Sequence, residues 1–326
     1  MILAGDVGGT NLRLALFDLT DERLVKRAEA RFKSRELTGL EDAVGRFLGG
    51  RTVSSAGFGV AGPVRRGRCE ATNLPWVVDA AALASRLSLP EVALVNDLVA
   101  NAIGLAELAP SDFAEVNRGE EDPEGNRALI SAGTGLGEAF LVREGGGWRA
   151  FPSEGGHASF APRSPTEIEL LGWLSRRLSH VSFERVVSGP GLADLSRFER
   201  ERSGLPEPAW LSAAIQRIGD VAPAVSEAAL QGTDPVAGRS LERWVSIYGA
   251  EAGNLALKIM ATAGLFVGGG IAPKVLPKLL SGSFFAAFCD KGRFVPLLSK
   301  VPVRVVLNDE CALRGAARSA RGEVRA

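Results

Sequence analysis

The chain has 326 residues, is 46% hydrophobic, and sets 38 Lys and Arg against 38 Asp and Glu. That length and apolar content support two domains with sizeable cores, and the zero formal charge gives no electrostatic footprint for a nucleic-acid partner. Cys69, Cys289 and Cys311 lie far apart without a CxxC pair, and no apolar run reaches membrane length, so a cytoplasmic protein with reduced thiols and no membrane partner is expected.

In chain order, Ile2 to Val7 reads as a strand. After Gly8-Gly9-Thr10, the residues Leu12, Leu14 and Leu16 alternate with Arg13, Ala15 and Phe17, which predicts a second strand and hence a hairpin. Thr52 to Val64 is a strand ending in glycines. Asp79 suits the N-cap of a helix over "AAALASRLSL", with Pro90 as its stop. "EVALVND" is a buried strand that breaks at Asn96-Asp97 into a helix. The polar stretch from Pro110 to Asn126 reads as a surface connection near a domain boundary.

A second strand–glycine turn–strand unit follows, with its turn at Gly133-Thr134-Gly135-Leu136-Gly137. It repeats the plan of the N-terminus and suggests two related α/β halves. From Thr166 to about Thr262 the pattern is helical. Leu170, Leu171, Leu174 and Leu178 keep helical spacing, as do Leu241, Trp244, Val245 and Tyr248. "GLFVGGGIAPKVLPKLL" predicts strand, glycine turn and helix, with Pro273 in the first turn. "VPVRVVLND" is a late strand and "ECALRGAARSA" a closing helix.

The opening turn has no Lys and leads into a strand, so it is neither a Walker loop nor a dinucleotide fingerprint. Its backbone N–H groups and the Thr10 hydroxyl can still meet phosphate oxygens. Asp6 would repel a phosphate unless a cation lies between them, which suits a Mg²⁺ partner; an ordinary hairpin with Asp6 bonded to its own turn accounts equally well for the segment alone. Asp97 fits two roles, helix N-cap or general base for a hydroxyl. Glu154 and His157 lie three apart across two glycines, which argues against a helical metal site. They could grip neighbouring sugar hydroxyls. His180, the other histidine, reads as structural.

Three glycine turns after apolar strands, at Gly8, Gly133 and Gly268–Gly270, resemble the two phosphate motifs and the adenosine motif of the actin, heat-shock-70 and sugar-kinase superfamily. "GDVGGTN", "TNLPWVVD", "VNDLVANAIGL", "AGTGLG", "EGGHASFAP", "FERVVSGPGL", "VGGGIAPK" and "DKGRF" occur in the order seen in bacterial ATP-dependent glucokinases. The resemblance spans roughly Ile2 to Ala317. The cysteine-rich zinc motif of the related repressor, open-reading-frame and kinase family is missing, as is a leading helix-turn-helix.

The resemblance implies an α/β fold of the two-domain actin-like, ribonuclease H-like ATPase type with an active-site cleft between the domains. It implies a small domain of residues 1–107 plus about 305–326 and a large domain of residues 108–304. Asp97 matches the catalytic base, and Asn73, Asn96, Asp97, Glu154, His157 and Glu184 match the glucose contacts. The ATP contacts are Gly5, Asp6, Val7, Gly8, Gly9, Thr10, Asn11, Gly133, Thr134, Gly135, Gly268, Gly269 and Gly270, with Asp6 meeting Mg²⁺ through water. The implied reaction moves the γ-phosphoryl of Mg-ATP to the 6-hydroxyl of glucose, in a cytoplasmic homodimer. Glu184 lies outside every glycine hairpin in the sequence, so it is expected to serve the sugar and not the nucleotide.

Overall fold

The computed structural model describes residues 1–70 and 76–322. The elements run β1 (Ile2–Val7), β2 (Asn11–Thr20), β3 (Arg23–Lys33), α1 (Leu40–Leu48), β4 (Ser55–Val60), β5 (Val64–Arg65), β6 (Arg68–Cys69), β7 (Val78–Asp79), α2 (Ala80–Leu87), β8 (Ala93–Asn96) and α3 (Asp97–Gly104). Next come β9 (Phe113–Asn117), β10 (Arg127–Ala132), β11 (Leu136–Glu144), β12 (Gly147–Ser153), α4 (Pro165–Ser175), α5 (Gly189–Ser203), α6 (Ala209–Ile218), α7 (Val221–Gln231) and α8 (Pro235–Ile259). The chain closes with β13 (Gly264–Gly268), α9 (Leu276–Leu279), α10 (Ser283–Cys289), α11 (Val295–Leu298), β14 (Val303–Val306) and α12 (Cys311–Ser319). It divides into two units, one of Met1–Asp112, Ala139–Pro152 and the chain from Asn308 onward, the other of Phe113–Glu138 and Ser153–Leu307.

In the first unit the sheet order is β3-β2-β1-β4-β8. β1 is antiparallel to β2 and parallel to β4, and β4 is parallel to β8. The alternation read at Leu12, Leu14 and Leu16 buries these side chains against Leu3, Val44, Phe47 and Phe58. Three glycines let the backbones of the unit approach closely. A Cβ at Gly57 would overlap the Ala316 carbonyl, one at Gly104 the Cys311 carbonyl, and one at Gly315 the Ala100 carbonyl. Helices α3 and α12 therefore cross at backbone contact, which fixes the position of Asp97 at the start of α3.

In the second unit β10, β13, β14 and β9 lie side by side in that order. β10, β13 and β14 are parallel and β9 is antiparallel. Paired strands β11 and β12 carry the chain out of this unit and back. The helical spacing at Leu241, Trp244, Val245 and Tyr248 is the buried face of α8, and Leu170 and Leu174 are the buried face of α4. Each unit thus has its own apolar core.

Several boundaries differ from the sequence reading. The stretch Pro110–Asn126 is not wholly a loop, because Phe113–Asn117 forms the edge strand β9. Its mostly half-buried residues do not alternate and supply too little apolar signal to mark a strand by pattern. Helix α2 ends at Leu87, before Pro90, because Ser88 turns left-handed at φ 55° and closes the helix with its own N–H. The predicted helix after the Gly268 turn begins as one tight 3-10 turn over Ala272–Val275, with Pro273 in its first turn as expected.

Candidate active site

The opening hairpin closes through the Gly8 N–H, which donates to the Asn11 carbonyl at 3.0 Å. Ser34 braces it from outside: its hydroxyl donates to the Gly8 carbonyl at 2.7 Å, and its N–H to the Thr10 carbonyl at 3.1 Å. Asp6, at the end of β1, pairs in register with Arg13. Burial pushes the Asp6 carboxyl above its ordinary range, and Asp309 adds to the rise while Arg13 opposes it. Arg13 is itself shared, donating to Glu29 at 3.0 Å and to the Asp309 carboxylate at 3.2 Å. Asp6 is therefore an under-compensated carboxylate beside a glycine turn. Among the described residues no group of three or more His, Cys, Asp or Glu side chains could hold a metal ion.

Asn96, not Asp97, is the cap of α3. Its Oδ1 accepts the N–H groups of Leu98 at 2.9 Å and Val99 at 3.3 Å, while its Nδ2 donates to the Gly62 carbonyl at 3.1 Å. Asp97 occupies the first helical position, with Oδ1 accepting the Leu98 N–H at 3.0 Å. The side chain stays half-buried at the C-terminal end of parallel strand β8, where α/β sheets place ligand-binding groups.

In the second unit Glu154, His157 and Glu184 come together. His157 Nε2 is 3.8 Å from Glu154 Oε2, and its Nδ1 is 3.8 Å from Glu184 Oε1. Both distances are ion-pair range but too long for a direct hydrogen bond. Backbone bonds hold the two segments in place: Glu184 N–H to the Gly156 carbonyl at 2.9 Å and Phe183 N–H to the Ala158 carbonyl at 3.0 Å. Gly156 must lack a side chain, because a Cβ there would overlap the Leu136 carbonyl. His180 Nε2 meets the His157 carbonyl at 2.9 Å, in keeping with a structural role.

Glu184 also reaches the glycine loop. Its Oε2 accepts the Leu136 N–H at 3.0 Å and fills the space a Cβ at Gly135 would need. Glu184 lies outside every glycine hairpin in the sequence, yet in space it touches one. The link was invisible in the sequence because 48 positions separate the two residues.

Parallel pairing of β10 with β13 sets Ser131 opposite Gly268, so the second and third glycine turns leave the sheet side by side. Gly269 has φ +85° and presses on the Ala132 carbonyl, which only glycine allows. Beyond them lies a cavity of about 650 Å³ lined by Gly133, Thr134, Gly189, Asp220, Gly270 and Lys274, among others. Gly189 opens the fifteen-residue helix α5 and donates its N–H to the Gly133 carbonyl at 2.9 Å. The Lys274 ammonium and the positive end of the α5 dipole draw negative charge here, while Asp220 and Glu227 on the same lining oppose it. A groove of about 800 Å³ elsewhere in the unit is lined by Arg163, Arg243 and Lys278, each paired with a glutamate, so its size alone marks no site.

A family model for glucokinase matches residues 3–323. The chain belongs to the glucokinase family. It is 40% identical to a glucokinase of Nostoc sp. (strain PCC 7120) over 97% of this chain and 98% of that one, and 41% identical to one of Synechocystis sp. over 97% and 96%. Among solved structures, it is similar to a glucokinase from an Antarctic psychrotroph with TM-score 0.86, 32% identity and 99% of both chains covered. A Balamuthia mandrillaris glucokinase solved with glucose shares the fold at TM-score 0.81 and 22% identity, covering 98% of this chain and 93% of that one.

Within this glucokinase-family chain, most of the residues singled out from sequence fall into three local groups. Gly5 to Asn11 form the first hairpin and its strand ends, and a Cβ at Gly5 would overlap the Phe58 ring. Glu154, His157 and Glu184 form the second group, and the two glycine turns Gly133–Gly135 and Gly268–Gly270 the third. Asn73 lies outside the described residues. The sequence reading missed Gly189, Asp220 and Lys274 as cavity residues. Ser188 and Asp220 are N-caps, accepting from Gly191 at 3.1 Å and Ala222 at 3.1 Å. The helix starts "SGPG" and "GDVAPA" were the available signal.

Proposed function

We propose that this chain transfers the γ-phosphoryl group of ATP to the 6-hydroxyl of glucose, giving glucose 6-phosphate and ADP. The observation that carries the reading is Glu184, which touches a glycine loop with one oxygen and faces His157 with the other. One side chain thereby couples a phosphate-type loop to a set of groups suited to sugar hydroxyls.

Asp97 orients the accepting hydroxyl and takes its proton as the new bond to phosphorus forms. Asn96 holds the start of α3 in place for this and offers its amide edge to the sugar. Glu154, His157 and Glu184 bind hydroxyls by charge-assisted hydrogen bonds, with Asn73 as a further contact. The N–H groups of the Gly8, Gly133 and Gly268 turns bind the nucleotide, and the α5 start and Lys274 attract its phosphates. Mg²⁺ carried by ATP would supply charge neutralisation, and Asp6, an under-compensated carboxylate with Asp309 nearby, suits a cation held through water.

We assign the working domains to residues 1–107 with about 305–326 and to residues 108–304. A cytoplasmic homodimer completes the reading. The cytoplasmic location is supported by three free thiols, and the homodimer rests on the family resemblance alone. A coupled assay of ADP release across a panel of sugars tests the activity. Release should depend on added sugar and favour glucose. Equal release without sugar, or a preference for mannose or fructose, overturns the assignment.

A further inference from the structure

Glu138 follows directly on the Gly133–Gly137 loop, and its side chain is 1% exposed. Its Oε1 has no hydrogen-bond partner. Its Oε2 packs on Gly155, where a Cβ would overlap it. Facing it from α8 is Glu251, which is fully buried.

The groups around this carboxyl pair are unequal. Asn254 Nδ2 donates to Glu251 Oε2 at 2.7 Å, and Lys258 Nζ approaches Glu251 Oε1 at 3.4 Å. Lys291, the lysine of "DKGRF", donates to the Ala250 carbonyl at 2.9 Å and adds positive charge near Glu251, with Asp290 and Arg163 beyond it. Tyr248 is the other titratable group close to Glu138. Its burial holds the phenol neutral, and it bonds the backbone of Ile130 and Ala132. On the loop side stand Glu154 and His157.

Two buried carboxyls in contact do not both ionise. Burial raises both carboxyls, and Lys258 acts on both, but Asn254 and the direct Lys258 contact favour the ionised form of Glu251, so Glu138 is the member that holds a proton more readily. Burial, followed by the nearby Glu251 charge, pushes the Glu138 carboxyl up to about 7. Two carboxyls buried against each other cost stability that apolar side chains would avoid, so space-filling is a poor account of this residue.

We propose that Glu138 is a positioning residue for the sugar-binding loop: as a neutral carboxylic acid wedged between Glu251 and Gly155, it holds Glu154 and His157 where they grip substrate hydroxyls. The proposal rests on the reading of Glu154 and His157 as sugar contacts. Its consequence is directional. Ionisation of Glu138 puts a second negative charge beneath the loop, so the glucose requirement climbs as pH passes through neutrality.

The test is the glucose KM from pH 6 to 8.5, with the ATP KM as reference, in wild type, Glu138→Gln and Glu138→Ala. The wild-type glucose KM should rise roughly 3–10-fold across this range. Glu138→Gln keeps the shape without the ionisation and should lose most of that slope, which separates Glu138 from titration of His157 itself. Glu138→Ala should raise the glucose KM at every pH, leave the ATP KM within about twofold, and speed hydrogen exchange at Gly155–His157; Gln at the same position should rescue these changes. A wild-type slope retained in Glu138→Gln overturns the proposal. So does an unchanged glucose KM together with unchanged exchange in Glu138→Ala. Glu154→Ala separates the underlying reading: if it leaves the glucose KM untouched, the loop is not the sugar site, and exchange in Glu138→Ala still decides whether Glu138 positions it.

Discussion

The Glu184 carboxylate accepts the backbone N–H of Leu136 at 3.0 Å, across 48 residues of sequence. Its other oxygen faces His157 at 3.8 Å. Removing Glu184 therefore disturbs two groups at once. Glu184→Ala should raise the glucose KM about 10-fold or more, since bonds to charged groups are worth about 1.5–3 kcal/mol. It should also raise the ATP KM, because the Leu136 N–H loses its acceptor. Glu184→Gln keeps an acceptor for Leu136 and removes the charge facing His157. Two-substrate kinetics should show the ATP KM restored and the glucose KM still raised. If both variants change the glucose KM alone, the link to the glycine loop has no functional weight.

The capping duty in α3 falls on Asn96, so substituting Asp97 leaves the cap in place. Asp97→Asn should lower kcat by about 10²–10⁴ while glucose affinity, read by calorimetry, changes little. Thermal unfolding should stay close to wild type because the cap is untouched. Near-normal turnover in the folded variant rules out Asp97 as the base.

Asp6 carries an unfavourable charge in the folded protein, since burial pushes its carboxyl up. Asp6→Asn should weaken use of Mg-ATP and leave calorimetric glucose binding intact. It should not lower the unfolding temperature, because the buried charge is removed while the shape is kept. A large drop in unfolding temperature would make Asp6 a hairpin brace instead.

Gly315 is where α12 meets the Ala100 carbonyl of α3. Gly315→Ala adds one methyl group where there is no space, which should cost about 1–3 kcal/mol in denaturant unfolding. Because α3 carries Asp97, kcat should fall more than either KM rises. An unchanged kcat in the destabilised variant would show that the helix crossing does not set the position of Asp97.

The period-two pattern at Leu12, Leu14 and Leu16 was enough to predict the first hairpin, and the helical spacing at Leu241, Trp244, Val245 and Tyr248 the buried face of α8. These are local signals, and burial follows the same period as the backbone. Strand β9 was missed because an edge strand of half-buried residues carries little apolar contrast. Asp97 fitted both cap and base when read from its segment alone. Only the hydrogen bonds of Asn96 decide which residue does the capping.

The sequence by itself determined the residue types that can do the chemistry: glycine turns for phosphates, a carboxylate at a strand end, and a Glu-Gly-Gly-His loop. It did so because turn geometry and side-chain chemistry are properties of short segments. The tertiary structure decided which of these segments meet. Parallel pairing of β10 and β13 sets two glycine turns side by side, and Glu184 reaches Leu136. Burial against Glu251 pushes the Glu138 carboxyl up to about 7. Such properties depend on distance and desolvation between residues far apart in the chain, and neither can be read from local spacing.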